Sequence, residues 1–163
     1  MDENEIKNII ESLIDTFLIA GDLSIQLRNE GLQKEIKSDN TPVSNGDLEV
    51  NKILTKKILK LTPDIPIVSE ETSHNKSKDD LKDFWLIDPI DGTYDYINNK
   101  EEFTLNAGLI LNRKAVAGLI NVPAKNRMFY SYGKNNSFEF TRNKKTKLDC
   151  KKLSPLNSVK VVS

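Results

Sequence analysis

Two short apolar runs of the chain each end in carboxylates. Residues 84–87, Phe-Trp-Leu-Ile, lead into residues 88–93, Asp-Pro-Ile-Asp-Gly-Thr, and residues 67–69 lead into Glu70 and Glu71. Such runs are typical of buried strands, and ligand sites in open sheets lie beyond the carboxyl ends of strands. Mg²⁺ needs several oxygen ligands in a near-octahedral array, which carboxylates supply. The pattern therefore predicts a metal site at two strand ends, and such a metal indicates phosphate chemistry.

Each of these acidic residues also has a simpler interpretation. Asp-Pro and Asp-Gly are common turn dipeptides, and an acidic pair such as Glu70 and Glu71 usually lies in water. Asp47 starts a predicted helix, where a carboxylate stabilises the amino-terminal dipole, so capping alone explains it. His74, the single histidine, lies in a charged loop and is interpreted as exposed. The spacing does not fit an EF-hand, which needs oxygen ligands at every second position, or the Asp-x-Asp pattern of haloacid dehalogenase phosphatases.

Composition excludes several classes of partner. The 163 residues suit one domain, and 24 basic residues balance 24 acidic ones, so no long-range field attracts a nucleic acid polymer or an anionic membrane. The single cysteine, Cys150, excludes an internal disulfide and is compatible with a reducing compartment. No segment approaches the ~18 apolar residues of a membrane span, and the acidic start lacks the features of a signal peptide. We expect a cytoplasmic protein without a transmembrane segment.

Hydrophobic periodicity predicts two helices followed by strands. An amphipathic helix is expected from about residue 3 to about residue 28, with Gly21 as a weak point, and a second from about residue 45 to about residue 61. A polar connection at 30–44, a charged loop at 72–83 and a basic, solvated stretch at 144–152 separate or follow these elements. The predicted strands are 65–69, 85–88, 104–111, 115–122, 128–132 and 138–141, with a last apolar group at 159–162. Two helices before a largely antiparallel sheet predict a layered α+β domain.

Together, these segments resemble a known family. Glu70-Glu71 followed by Trp85 to Thr93 is similar to the signature of the inositol monophosphatase superfamily of Mg²⁺-dependent, lithium-sensitive phosphatases, Glu-Glu and then Trp-x-x-Asp-Pro-Ile/Leu-Asp-Gly-Thr. Residues 37–47, 61–71 and 102–106 resemble the 3'(2'),5'-bisphosphate nucleotidase branch, of CysQ type. The resemblance implies a sugar-phosphatase-like fold, with residues 1–163 as its amino-terminal α+β domain. Family members are considerably longer, so their carboxy-terminal α/β half, with its Trp-Asp-x-Ala-Ala-Gly motif, is expected to be missing here.

The resemblance also implies roles for individual residues. Two or three Mg²⁺ ions would be held by carboxylate and carbonyl oxygens of four residues: Glu70, Asp88, Ile90 through its backbone and Asp91. Asp47 and Thr93 would form a hydrogen-bonded pair that positions the attacking water, with Glu70 also among the catalytic residues. Gly92 and Thr93 would bind the phosphate through backbone N–H groups and a hydroxyl, at the start of a short helix near residues 94–97. Tyr94-Asp95-Tyr96 replaces a common Lys-Glu-Phe and removes a positive charge there.

The implied reaction is hydrolysis of 3'-phosphoadenosine 5'-phosphate to AMP and phosphate, a step of sulfur metabolism, with a small phosphorylated nucleotide as the binding partner. Two alternatives stay open. One is a general inositol monophosphatase. The other is a truncated or split-gene fragment that is inactive alone and that self-associates or needs a second chain to supply the carboxy-terminal half.

Overall fold

In a computed structural model that describes residues 1–36, 42–71, 81–141 and 144–149, two long helices cover one face of a seven-stranded sheet. The helices are α1 (Glu3–Glu30), α2 (Asn45–Leu61) and α3 (Thr93–Ile97), with a 3₁₀ turn at Pro123–Lys125. The strands are β1 (Lys34–Ile36), β2 (Pro42–Ser44), β3 (Ile67–Ser69), β4 (Phe84–Asp91), β5 (Thr104–Leu111), β6 (Lys114–Val122), β7 (Arg127–Tyr132), β8 (Ser137–Thr141) and β9 (Lys144–Lys147). The predicted α+β architecture is confirmed. No helix in these ranges is long and apolar enough to cross a membrane.

Local signals explain where α1 begins and why it continues through a glycine. The Asp2 carboxylate accepts a hydrogen bond from the Glu5 N–H at 2.8 Å, and the Glu5 carboxylate accepts one from the Asp2 N–H at 2.7 Å. This reciprocal pair satisfies two N–H groups at the helix start. A Cβ at Gly21 would collide with the Asn121 side chain. Gly21 therefore lets α1 approach β6 closely, and the helix is not interrupted there.

The sheet has the order β3-β4-β5-β6-β7-β8-β9, and of its described pairings β3 with β4 is parallel while the others are antiparallel. Ile67 pairs with Trp85 and Ser69 with Ile87. The Glu70 N–H then donates to the Ile87 carbonyl at 3.1 Å. Because parallel strands end at the same edge, this register carries Glu70 to the side of Asp88.

The two faces of the sheet differ in cover. The inner face, packed against α1 and α2, carries fully buried side chains, including Trp85, Ile87, Leu105, Leu109 and Leu119. The Trp85 indole N–H donates to the Thr62 hydroxyl at 3.0 Å, which fixes β4 to the end of α2. On the outer face, Leu86 and Ile120 are 44% and 46% exposed.

Three short strands lie where the sequence predicts polar connections. β1 and β2 pair within the 30–44 connection, and β9 lies within the basic stretch, which is exposed as predicted. Exposed edge strands rich in lysine lack the apolar alternation by which strands are identified. The predictions for residues 37–41, His74, Cys150 and residues 159–162 fall outside the described residues.

Candidate active site

The carboxyl ends of β3 and β4 border a cavity of about 290 Å³. Its wall includes Glu70, Asp88, Ile90, Asp91, Gly92 and Thr93, together with Pro42 and Tyr94. Every residue expected to bind metal or phosphate thus lies around one space. Asp47 is not in the wall but contacts it through Thr93.

A register shift in β4 explains how two aspartates three residues apart reach the same cavity. Asp88 pairs with Asn106 and Asp91 with Thr104, so β4 uses one more residue than β5 between these pairs. Without the shift, an odd spacing would place the two side chains on opposite faces of the sheet. Pro89 lies inside the shift, where its missing N–H is tolerated because the ladder is interrupted. The Ile90 side chain is buried, which fixes the shifted segment on the core.

Gly92 makes the turn from β4 into α3. Its φ is +89°, in the left-handed region that glycine adopts most easily, and a Cβ there would lie 2.7 Å from the Glu102 carbonyl oxygen. The tight turn places Thr93 at the first position of α3, beside the carboxylates.

Asp47 is buried at the start of α2, with only 1% of its surface exposed, and both carboxylate oxygens are engaged. One oxygen accepts from the Ser44 N–H at 2.8 Å and the Ser44 hydroxyl at 2.6 Å, and the other from the Thr93 hydroxyl at 3.1 Å. Burial raises the pKa of Asp47, while the hydrogen bonds from Ser44 and Thr93 oppose that rise. The helix-capping interpretation is therefore correct, and the same side chain also contacts the cavity wall.

Thr93 connects this cap to β4. Its hydroxyl lies 3.1 Å from Asp47 and 3.0 Å from the Ile90 carbonyl oxygen. A hydroxyl has one proton to donate, so these two acceptors compete for it and the oxygen's lone pairs remain able to accept. The predicted Asp47–Thr93 pair is present in the structure.

Asp88 has the most perturbed surroundings in the cavity. Burial, followed by the negative charges of Glu70 and Asp91, raises the pKa of Asp88 to about 7. Its carboxyl lies within hydrogen-bonding reach of Glu70. Among the described residues, the Asp88 Oδ1 atom is buried and accepts no hydrogen bond. Leaving a buried acceptor unsatisfied costs about 1–3 kcal/mol. The fold gains nothing from such an atom, so any reason for its burial is functional.

The residues present fit a hard divalent cation. The donors around the cavity are three carboxylates and a carbonyl, all oxygen, which is the set that Mg²⁺ or Ca²⁺ binds. A cation would satisfy the Asp88 Oδ1 atom and offset the repulsion that raises its pKa. In the part of the chain that the structure describes, no three His, Cys, Asp or Glu side chains are gathered tightly enough to hold a metal ion as they stand.

A larger cavity, of about 540 Å³, lies on the outer face of the sheet. Gly108 and Gly118 form part of its wall, and Leu86, Ile120 and Phe129 surround them. Its wall is mainly apolar and shares only Asp88 with the carboxylate cavity. We therefore assign the chemistry to the smaller cavity, because charged and polar groups converge there.

Two residues near the site are not identified as functional by the sequence reasoning. The Asn106 side-chain N–H donates to Asp91 at 3.2 Å, although residues 102–106 read as ordinary strand entry. The Tyr96 hydroxyl donates to the Ser24 carbonyl at 2.7 Å and so anchors α3 to α1. The signal for Asn106 was a polar residue at an outward position of an apolar strand. Tyr96 carried no such signal, because its partner is a distant backbone carbonyl.

Comparison with known sequences gives a consistent family. Residues 5–162 match the profile of the inositol monophosphatase family. The chain is 36% identical over 108 residues to a 3'(2'),5'-bisphosphate nucleotidase CysQ of Haemophilus influenzae, covering 65% of this chain and 40% of that protein. It is 34% identical over 113 residues to the protein of the same name from Escherichia coli O157:H7, covering 68% and 46%. The chain therefore spans less than half the length of these curated relatives.

Solved structures share the fold. The extragenic suppressor protein SuhB from Bartonella henselae superposes with a TM-score of 0.71 at 22% identity, covering 81% of this chain and 52% of that one. CysQ from Bacteroides thetaiotaomicron gives a TM-score of 0.60 at 24% identity, covering 83% and 49%. A structure of an IMPase/NADP phosphatase with Mg²⁺ and phosphate gives 0.68 at 20% identity, covering 80% and 50%. On the profile match together with this fold, the chain belongs to the inositol monophosphatase family.

Proposed function

We propose that this chain carries a Mg²⁺-dependent phosphomonoesterase site that converts 3'-phosphoadenosine 5'-phosphate to AMP and phosphate. The observation that carries the proposal is the parallel pairing of β3 with β4, which brings Glu70, Asp88 and Asp91 to one cavity. Residues 1–163 would form the amino-terminal α+β domain of such an enzyme, in the cytoplasm.

The proposed cation ligands are the carboxylates of Glu70, Asp88 and Asp91 and the backbone carbonyl of Ile90. When bound, two or three Mg²⁺ ions would supply positive charge against the phosphate oxygens and make water a stronger acid. The chain's own contribution is orientation. The register shift holds Asp88 and Asp91 toward the same cavity, and the buried Ile90 side chain keeps the connecting segment in place.

Asp47 and Thr93 would position the attacking water. When Asp47 accepts the Thr93 proton, the Thr93 oxygen is left to accept a hydrogen bond from a water in the cavity. Asp47 is held by two hydrogen bonds from Ser44, so this orientation is set before substrate arrives. Gly92 and Thr93 line the same cavity and would contact the phosphate. Glu70, at its rim, would assist in activating the water.

Two observations favour different substrates. Sequence similarity favours the bisphosphate nucleotide, since the curated relatives at 36% and 34% identity are named as 3'(2'),5'-bisphosphate nucleotidases. The family match leaves an inositol phosphate as the second candidate, because residues 5–162 match the profile of the inositol monophosphatase family. We give more weight to the named relatives, because one fold is shared across phosphatases that differ in substrate.

A phosphate-release assay with MgCl₂ titration tests the proposal. The chain is assayed with 3'-phosphoadenosine 5'-phosphate and, in parallel, with inositol 1-phosphate, and Asp91→Asn is the matched control. We expect Mg²⁺-dependent release from the nucleotide that the variant loses. Preference for the inositol ester would overturn the substrate, and equal release by Asp91→Asn would overturn the site. If the chain binds Mg²⁺ but releases no phosphate, the remaining alternative is an inactive fragment that needs a second chain.

A further inference from the structure

We infer that Asn106 is a positioning residue of the metal site, which holds the Asp91 carboxylate in place through its side-chain N–H. The inference rests on the proposed function, since it concerns a residue that orients a proposed metal ligand. Asn106 lies on β5 directly opposite Asp88, and its Nδ2 atom lies 3.2 Å from Asp91 Oδ2. Asn106 therefore lies beside both aspartates of β4, opposite Asp88 in the strand register and hydrogen-bonded to Asp91.

The surroundings of Asn106 argue against a role in the fold. Its Oδ1 atom is buried and, within the described residues, accepts no hydrogen bond. The Asp88 Oδ1 atom, on the neighbouring strand, is in the same condition. A residue selected for packing at this position would avoid an unsatisfied buried oxygen, so an apolar side chain would suit the fold better.

A second asparagine provides the contrast. Asn121 of β6 is buried on the inner face, and its side-chain N–H donates to the Phe17 carbonyl of α1 at 2.8 Å. That bond joins the sheet to the helix. Asn106 instead contacts the Asp91 carboxylate, which is exposed. The two asparagines thus have different roles: Asn121 stabilises the fold, and Asn106 supports the proposed site.

Asp91 needs such a support. It is exposed and ends β4, and it is followed at once by the Gly92 turn, so its side chain has few packing neighbours to fix it. Outer partners that orient metal ligands typically contribute about 10–100-fold in metal affinity. We expect the Asn106 amide to do so by holding Asp91 toward Asp88 and Glu70.

The test compares Asn106→Ala with Asn121→Ala by two measurements on the metal-free chain. Calorimetric titration with MgCl₂ gives the affinity, and urea unfolding gives the stability. We expect Asn106→Ala to weaken Mg²⁺ binding by about 10–100-fold while stability is unchanged or higher. Asn121→Ala is expected to lower stability and to leave the affinity within about twofold, because its hydrogen bond lies on the other face.

Each outcome decides between the inference and the proposed function. If the parent chain binds Mg²⁺ and Asn106→Ala binds it equally well, the inference is wrong and the proposed function stands. If Asn106→Ala loses stability in the way that Asn121→Ala does, Asn106 is a structural residue and the inference is again wrong. If the parent chain takes up no Mg²⁺ at all, the proposed function fails and the inference fails with it.

Discussion

Asp47 and Asp88 lie at the same corner of the molecule, yet the protein treats their carboxylates in opposite ways. Asp47 starts α2, and its two oxygens accept three hydrogen bonds, from Ser44 and Thr93. Asp88 lies within β4, which continues to Asp91 instead of ending at residue 88 as predicted, and its Oδ1 atom is buried with no partner in the described chain. The chain itself satisfies the Asp47 carboxylate, which caps α2. It leaves unsatisfied the Asp88 carboxylate, which we propose as a cation ligand.

The surroundings of the two residues also act differently on their pKa values. Burial raises the pKa of both side chains. At Asp47 the hydrogen bonds from Ser44 and Thr93 counteract burial, whereas at Asp88 the charges of Glu70 and Asp91 add to it. Asp88 is therefore unfavourable as an anion until positive charge arrives. This difference suggests mutations whose effects should have opposite signs at the two sites.

Replacement of Asp88 by asparagine should have the largest effect. We expect Asp88→Asn to weaken Mg²⁺ binding by at least ~100-fold, since the loss of even a supporting residue costs ~10–100-fold. The same change should stabilise the metal-free chain, because it removes a negative charge that Glu70 and Asp91 repel. Calorimetry with MgCl₂ and urea unfolding measure the two effects.

The control for this prediction is Asp15→Asn, which makes the same chemical change at an exposed position of α1. It should alter neither Mg²⁺ affinity nor stability appreciably. A metal-free Asp88→Asn chain that is less stable than the parent would show that Asp88, like Asp47, serves the fold. The contrast between the two aspartates would then be wrong.

The sequence was sufficient for the elements around this site but not for their arrangement. The two long helices and the six main strands follow from apolar spacing, because each buries one face in a single core. The spacing of Asp88 and Asp91 alone suggests opposite faces. The register shift that reverses this depends on pairing with β5, which is not local information. The pattern of carboxylates after two apolar runs predicted that they converge on a metal site, and the family resemblance added the roles of individual residues.

The same limit applies to contacts between distant segments. Asp47 could be predicted as a helix cap, since Ser44 and Asp47 have the spacing of a capping box. Its contact with Thr93 joins residues 46 positions apart, and the Tyr96 bond to Ser24 joins residues 72 apart. Such contacts depend on where α3 meets the start of α2 and the last turns of α1. No pattern within a window of residues encodes them.

Removal of the Asp47 carboxylate should have the next largest effect, on stability. Asp47→Ala deletes the acceptor for the buried Ser44 N–H and hydroxyl, so we expect a loss of about 2 kcal/mol in the free energy of unfolding. Urea unfolding measures it. Glu49→Ala is the control, because Glu49 lies two residues after Asp47 in α2 and its side chain is 47% exposed. If both substitutions cost the same, the cap geometry contributes little and Asp47 is not the structural member of the pair.

The Thr93 hydroxyl should matter less for stability than Asp47. Thr93→Val keeps the side-chain shape and removes the donor to Asp47, for an expected loss of about 1 kcal/mol. Thr93→Ser keeps the hydroxyl and should retain most of the stability. In an Asp47→Asn background, Thr93→Val should cost less, because the charged acceptor has gone. Additive losses in this double-mutant cycle would argue that the two side chains do not interact.

The smallest effect is expected at Glu139, an ordinary carboxylate that serves as the reference for Asp47 and Asp88. Glu139 on β8 accepts from Arg127 at 2.7 Å, and this hydrogen bond lowers the pKa of Glu139. A lowered pKa contributes stability above the value of the unfolded chain, and that contribution is lost as pH falls through the folded value. Glu139→Gln should therefore flatten the acid side of the stability curve, below the ordinary pKa of a glutamate (about 4.3), in urea unfolding at several pH values.

Asp88 should act in the opposite direction over a higher range, because its pKa is raised to about 7. A raised pKa favours the folded chain fully below the ordinary value of 3.8, and this contribution is lost as pH rises from there to about 7. Glu139→Gln and Asp88→Asn should thus change the slope of the same curve in opposite directions in the metal-free chain. Arg127→Met should reproduce the effect of Glu139→Gln and leave the neutral side unchanged. Changes of the same sign for Glu139 and Asp88 would mean that the Asp88 carboxylate is compensated by the protein itself and needs no cation.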